Sequence, residues 1–195
     1  MKRRHAGMTL IEILMVGLMS VLVGAALWSL LRSTFDSRYS VMAENDVISS
    51  ARQAIDLLAD GWRDDSTNTV YYGLRGAAPA SSGAGALTAA TATSLTYTYK
   101  DVANGNTPVT IQYYLSGTEL KRKVNGSPSD GTVVLGNVQS FNCVYWSWTG
   151  SSWTSSSTPS DLTKVGAVDI TITVAHDGAT RQVSGSVQIR QMRLN

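Results

Sequence analysis

The first 31 residues read MKRRHAG (1–7), MTLIE (8–12) and ILMVGLMSVLVGAALWSLL (13–31). A short basic leader ends at Gly7, and residues 8–31 carry no charge except the carboxylate of Glu12. About 20 apolar residues are enough for a helix to cross a bilayer. This stretch therefore predicts a membrane-entering helix at the head of the chain.

Two ordinary explanations of this stretch leave Glu12 unexplained. A basic segment before an apolar run is typical of a secretory signal peptide, with Val23-Gly24-Ala25 as a cleavage site, or of a simple signal anchor. A carboxylate at membrane depth costs roughly 2.5–3.5 kcal/mol on insertion scales and needs a partner. Cleavage after Gly7 would supply one, because the new α-amino group would lie four residues before Glu12 on the same helix face.

These residues resemble the start of a type IV prepilin or pseudopilin. In that superfamily a basic leader ends in Gly, prepilin peptidase cuts after it, and the fifth mature residue is Glu. The resemblance implies removal of residues 1–7, cleavage between Gly7 and Met8, N-methylation of Met8 and an assembly role for Glu12. Met8 departs from the family pattern, in which the first mature residue is usually Phe.

The resemblance also implies where each part of the chain lies. Lys2, Arg3 and Arg4 would stay in the cytoplasm, as the positive-inside bias favours. Residues 8–31 would lie in the inner membrane with the globular part outside, before transfer to a pilus filament at the cell surface. Glu12 is then expected to pair with the N-terminal amine of a neighbouring subunit, although the spacing also lets it reach its own amine.

A row of small residues runs along the apolar helix. Gly17, Ser20 and Gly24 lie at i, i+3 and i+7, a spacing that lets helices approach closely in lipid. The alternative is that Gly and Ser are simply common in membrane helices. The row predicts a helix-packing surface.

The helical pattern continues beyond the apolar run through residues 32–63, where it becomes amphipathic. Apolar residues recur there at steps of seven, three and four, as on one face of a helix. These positions are Val41, Ile48, Ala51, Ile55, Leu58 and Trp62. We predict one helix from residue 8 to about residue 62, with its second half packed on a globular domain and Asp64-Asp65-Ser66 as its exit turn.

Residues 64–195 predict a β-rich globular domain. Residues 73–94 are rich in Ala, Gly and Ser and are expected to form a connector. Alternating or apolar runs separated by turn residues then predict strands. These runs cover 95–99, 109–115, 118–124, 133–135, 138–148, 165–175 and 182–190. The fold class is α+β, a long N-terminal helix packed on an antiparallel sheet.

No pattern in the sequence indicates an enzyme. The mature chain would retain one imidazole, His176, beside the turn residues Asp177 and Gly178, and no His or Cys pair has zinc spacing. Cys143 is the single cysteine, which excludes an internal disulfide and favours a buried structural thiol. We therefore predict a non-catalytic protein with no cofactor and no metal.

Two groups of residues suggest a binding function, a basic cluster for nucleic acid and an aromatic residue for a partner subunit or a sugar. Lys121, Arg122 and Lys123 form a basic cluster near tyrosines, but strand alternation splits their charges between two faces, and a mature chain close to neutral argues against nucleic acid. Trp153 lies in a loop rich in Ser and Thr, where it is a candidate surface contact for a partner subunit or a sugar. A solvated hairpin and a partly buried aromatic cluster are the simpler interpretations.

The order of the later strands is similar to that of W-type minor pilins and J-type pseudopilins. That resemblance implies a low-copy subunit that primes assembly at the tip of a type IV pilus. Its partners would be other pilin subunits, prepilin peptidase, the inner-membrane assembly platform and the membrane. The alternatives are a pseudopilin of a type II secretion system and a major, shaft-forming pilin, with a DNA-binding or adhesive tip subunit less favoured.

Overall fold

A computed structural model describes residues 9–81, 84–176 and 178–189 of the chain. These residues form one α-helix and eleven strands, with short 3₁₀ turns at Leu74–Gly76, Val102–Asn104 and Leu162–Lys164. The bounds are α1 Leu10–Asp60, β1 Gly61–Asp64, β2 Thr69–Tyr72, β3 Leu87–Ala90, β4 Ser94–Asp101, β5 Thr107–Ser116, β6 Glu119–Val124, β7 Ser127–Leu135, β8 Val138–Trp148, β9 Trp153–Ser156, β10 Val165–His176 and β11 Ala179–Gln188.

The chain divides into two compact units between Met42 and Ala43, inside α1. In the first unit every described residue, 9–42, is exposed. The second unit holds the end of α1 and all the strands, and its buried side chains form one hydrophobic core. The predicted leader, residues 1–7, lies outside the described residues.

The described strands pair in three antiparallel sheets. β1 and β2 form a hairpin, β11-β10-β8-β9 form a four-stranded sheet, and β3-β4-β5-β6-β7 form a five-stranded sheet. Their inward-facing side chains alternate with exposed ones, as the period of two requires. Together with α1 these sheets confirm the predicted α+β class.

The buried face of α1 differs in part from the predicted stripe. Ala51, Ile55 and Leu58 are buried as expected, but Val41 is 54% exposed and belongs to the first unit. The rest of the buried face consists of Val47, Ala54 and Ala59. The sheet approaches this face closely at Ile55. At Gly185 of β11, a β-carbon would come within 2.7 Å of Ile55 Cγ2.

The helix ends two residues earlier than predicted. Gly61 has φ +94°, a conformation that a helix cannot continue through and that glycine adopts without strain. Trp62 therefore lies in β1, where its ring stacks on that of Tyr71 with centroids 4.6 Å apart. The predicted exit turn at Asp64 is instead the turn of the β1–β2 hairpin, in which the Asp64 carboxylate accepts a hydrogen bond from the Ser66 backbone.

Two strands lie, and a third begins, where the sequence predicted a connector or loop. β3 falls within the predicted connector 73–94, β9 lies in the Ser/Thr loop around Trp153, and β7 begins at Ser127 rather than near 133. Polar and small residues dominate these strands, so their alternation is weak. β8 matches the predicted 138–148, and the prediction for the last strand extends to Arg190, outside the described residues.

An ion pair joins the globular part of α1 to the edge strand β11. Arg181 Nε donates to Glu44 Oε1 at 2.7 Å, and this hydrogen bond lowers the pKa of Glu44 below its ordinary value of 4.5. A lowered pKa means that the folded state binds this proton less readily than the unfolded state does. The pair therefore stabilises the fold at neutral pH.

Acidification is expected to remove this contribution. As the pH falls from 4.5 through the lowered pKa, Glu44 becomes protonated and loses its charge-assisted bond to Arg181. Urea midpoints measured at pH 7 and pH 3 should differ less for Glu44→Gln than for the wild type. Because both side chains are exposed, 1 M salt should shrink that difference. If the difference between the two urea midpoints were the same in Glu44→Gln as in the wild type, the ion pair would not be the source of the acid sensitivity.

Cys143 lies on the inner face of β8 with no exposed surface. Burial raises the pKa of its thiol to about 12, so the unreactive neutral form prevails. The prediction of a buried structural thiol is thus confirmed.

We expect Cys143 to resist a thiol-reactive dye at pH 8 in the folded protein and to react within minutes in denaturant. Labelling of the native protein, followed by mass spectrometry, checks this. Fast native labelling would mean that the centre of the four-stranded sheet opens readily.

Candidate functional site

Glu12 lies in the first turn of α1, where it makes a reciprocal pair of contacts with Thr9. The Thr9 backbone N–H and hydroxyl donate to Glu12 Oε2 at 2.8 and 3.0 Å. The Glu12 backbone N–H points back to Thr9 Oγ1 at 3.4 Å. This is a capping box, which satisfies N–H groups that a helix start leaves unpaired. Glu12 therefore has a local role in starting the helix.

This local role is absent from our interpretation of the sequence, although a signal for it is present. A Thr followed three residues later by Glu, just before an apolar run, is the capping-box pattern. The pattern does not exclude an intermolecular role, because a carboxylate offers about four acceptor sites on its two oxygens. Thr9 lies one residue after Met8, so the capping box would survive cleavage after Gly7. Gly7 and Met8 themselves lie outside the described residues.

The small-residue row leaves space on the helix surface. A β-carbon placed on Gly17 or Gly24 would meet nothing within 4 Å, and the Ser20 hydroxyl donates to the Val16 carbonyl at 2.8 Å. A shallow groove of about 580 Å³ follows this surface. Its lining residues are Met15, Val16, Met19, Ser20, Val23, Gly24 and Leu27. Ser20 and Gly24 thus share one groove, and Gly17 is not part of its lining.

The apolar part of α1 is long and hydrophobic enough to cross a membrane. Its most apolar 18-residue window has a mean hydropathy of 2.4, and no part of that window is buried in the protein. A core helix of a soluble domain of this composition would be mostly covered. By length and composition, α1 is a candidate membrane span.

The basic cluster on β6 divides between two faces, as strand alternation predicts. Arg122 lies over the Trp62 ring, 3.4 Å from its centroid, whereas Lys123 lies 5.0 Å from the ring centroid of Tyr114. Lys121 pairs with Glu119 at 3.1 Å. These cations are engaged within the fold and form no continuous basic surface.

The aromatic residues near the β8–β9 hairpin also divide between faces. Tyr145 is fully buried, whereas Trp153 is 45% exposed. Trp148 and Trp153 face each other across the hairpin, with ring centroids 5.6 Å apart. Trp153 is therefore available for contact, as the sequence suggested.

His176 is the last residue of β10 rather than part of a turn. Its Nδ1 lies 3.4 Å from Asn137 Nδ2, and both residues line a cleft of about 260 Å³ that also includes Asp46 and Ser50. Within the described residues, no group of three or more His, Cys, Asp and Glu side chains could hold a metal ion.

The comparisons with known proteins add no relative: no family model matches the chain, and no curated protein matches it.

Proposed function

We propose that this chain is a non-catalytic minor pilin, which assembles through its N-terminal helix into a type IV pilus and primes assembly at the tip. The observation that carries the proposal is a single carboxylate, Glu12, at the head of an exposed apolar helix directly after a basic segment ending in Gly7. An exposed apolar surface of this length needs lipid or other helices to cover it. The membrane would supply the lipid at first, and a filament of packed helices would later supply the neighbouring helices.

Glu12 suits a role in subunit entry because it combines two functions. Its Oε2 holds the first turn through Thr9, and the carboxylate retains further acceptor capacity for an incoming ammonium group. In a low-dielectric environment an unpaired carboxylate is costly, so a neighbour's N-terminal amine would be drawn to it. The same carboxylate would thereby fix the depth at which the new subunit lies.

The groove at Ser20 and Gly24 suits helix packing. Association of helices in lipid relies on close packing, since lipid tails are as apolar as Leu side chains. The Ser20 hydroxyl is already bonded within its own helix, so the groove can accept a neighbouring side chain without leaving a donor unpaired. Partners of this kind are other pilin subunits, with prepilin peptidase and the inner-membrane platform acting earlier.

The proposal is tested by the mass and N-terminal peptide of the protein from its native membrane or filament. A chain that starts at methylated Met8 supports it. A chain that starts at Ala26 identifies a signal peptide and overturns it, as does an intact leader in a cell with active prepilin peptidase. Gly7 replaced by a bulky residue should leave the longer, uncut chain in the membrane.

Two related functions, a type II secretion pseudopilin and a shaft pilin, can be distinguished from a minor tip pilin by the protein's copy number in filaments and by the effect of its deletion. A pseudopilin of a type II secretion system would be required for release of an exported enzyme, whereas a shaft pilin would dominate purified filaments. A minor tip pilin would be present in a few copies, and its deletion would lower the number of filaments or abolish them.

A further inference from the structure

The outward face of the four-stranded sheet carries three tryptophans close together. Trp146 and Trp148 are two residues apart on β8, which places both on one face about 7 Å apart along the strand. Trp153 of β9 lies directly opposite Trp148, with a 58° angle between the two rings. Tyr145, the residue before Trp146, points the other way into the core. The rings of Trp148 and Trp153 are therefore neighbours on the outward side of the sheet, and Trp146 lies on the same face; these three residues are called the tryptophan group.

Contacts within the fold explain the positions of Trp146 and Trp148, but they do not explain why Trp153 remains exposed. Trp148 and Trp153 form a cross-strand pair, which stabilises the end of the β8–β9 hairpin. Trp146 is instead held by β10, because its Nε1 donates to Asp169 Oδ2 at 2.6 Å. A bond from one indole to a fixed carboxylate sets the ring's orientation. Trp153, by contrast, keeps 45% of its surface exposed.

The rest of this face is rich in hydroxyl and amide groups. We call it the outer face and define it by the positions that alternate with the buried residues of β8, β10 and β11, together with their partners on β9. These are Ser140, Asn142, Val144, Trp146, Trp148, Trp153, Ser155, Ala167, Asp169, Thr171, Thr173, Ala175, Thr180, Gln182, Ser184, Ser186 and Gln188. Asp169 is the one charged residue among these seventeen positions.

The chemistry of the outer face selects among classes of ligand. It has no Lys or Arg to neutralise phosphates, which argues against nucleic acid. Few aliphatic side chains lie on it, and Val144 is only 37% exposed, whereas the core of a protein interface is mainly apolar. Hydroxyl pairs such as Thr171–Ser184 at 3.1 Å show that the surface is built of groups that both donate and accept. A neutral polyhydroxyl molecule matches these properties.

We propose that the outer face binds a neutral glycan built of pyranose units through its tryptophan group. The pyranose rings of such a chain present flat C–H surfaces, which fit against an exposed indole ring such as that of Trp153. Their hydroxyls are donors and acceptors, which the Asp169 carboxylate and the neighbouring Ser and Asn side chains can bond. The proposal does not depend on assembly into a filament.

The test uses the full chain in detergent with cellohexaose and chitohexaose as probes. Binding of either sugar should saturate and change the tryptophan fluorescence. Trp153→Ala should weaken binding by about tenfold or more, since it removes an aromatic contact surface. Tyr72→Ala is the matched control, because Tyr72 is also 45% exposed but lies on the β1–β2 hairpin; it should bind as the wild type does.

A second variant protects the test against misfolding of the first. Asp169→Asn keeps an acceptor for the Trp146 indole but removes the negative charge, so it should weaken sugar binding by about fivefold while the unfolding midpoint stays near that of the wild type. No binding of either sugar by the wild type would overturn the proposal. Binding unchanged in both Trp153→Ala and Asp169→Asn would also overturn it, because the sugar would then lie elsewhere.

Discussion

Replacing Glu12 with Gln is expected to leave leader cleavage intact and to lower incorporation into filaments by more than about tenfold. Gln can still accept the hydrogen bonds from Thr9 that start the helix. It cannot supply a negative charge, and a charged hydrogen bond is roughly twice as strong as a neutral one. The measurement is the ratio of the protein in sheared filaments to that in the membrane, by quantitative mass spectrometry.

The control for this experiment is Thr9→Val, which removes the capping hydroxyl and keeps the carboxylate. The Thr9 backbone N–H would still donate to Glu12, so helix capping weakens by only about 1 kcal/mol. We expect incorporation close to the wild-type level. Equal losses for Thr9→Val and Glu12→Gln would show that capping alone explains the need for Glu12, and wild-type incorporation of Glu12→Gln would refute charge pairing.

The second large effect is expected at the junction between α1 and β1. In Gly61→Ala the new β-carbon would lie 2.0 Å from the Tyr71 carbonyl oxygen and 2.6 Å from the Gly73 nitrogen. Both neighbours are backbone atoms, so the β1–β2 hairpin itself would have to move. The residue would also keep φ +94°, which strains any L side chain. We expect a loss of more than about 4 kcal/mol in the free energy of unfolding.

Gly105→Ala separates the two causes of this loss. Gly105 also has a positive φ, +71°, but a β-carbon there would meet nothing within 4 Å. Its cost should be the left-handed backbone alone, about 1–2 kcal/mol. Denaturant unfolding of both variants in detergent, followed by tryptophan fluorescence, compares them. Similar losses for the two would mean that the hairpin does not pack against the helix end as described.

Strand positions with strong alternation could be predicted from the sequence. In β8, Phe141, Cys143 and Tyr145 point to the core while the residues between them point outward, and the predicted bounds match. β1, β2 and β9 are four residues each, too short for a pattern of period two to stand out. Their pairing depends on residues distant in sequence, which a local pattern does not contain.

The buried face of α1 shows a different limit of local patterns. Apolar and small residues near 47, 48, 51, 54, 55, 58 and 59 are compatible with more than one stripe at helical spacing. In the folded protein the sheet covers the stripe that includes Val47, Ala54 and Ala59, and the absence of a side chain at Gly185 leaves room for Ile55. A local pattern does not contain this choice, because it depends on strands that are distant in sequence.

The candidate site combines a residue that the sequence makes conspicuous with one that it does not. Glu12 is conspicuous because a lone carboxylate in an apolar run is unusual, whereas a Thr such as Thr9 is common at the start of a helix. The Thr9–Glu12 spacing is a local signal, so it needs no tertiary information to be recognised. The outer-face tryptophans are the opposite case, because β9 must pair with β8 before Trp153 and Trp148 meet.

The capping box at Thr9 also bears on the entropy of association. A frayed first turn would have to be ordered when a neighbour arrives, at a cost of roughly 1–2 kcal/mol for each backbone residue fixed. Because Thr9 and Glu12 are hydrogen-bonded to each other within the single chain, the first turn is already ordered before any partner binds. The carboxylate is pre-organised, so its direction is set before any encounter. An approaching cation therefore meets a rigid target, and more of the interaction energy remains for binding.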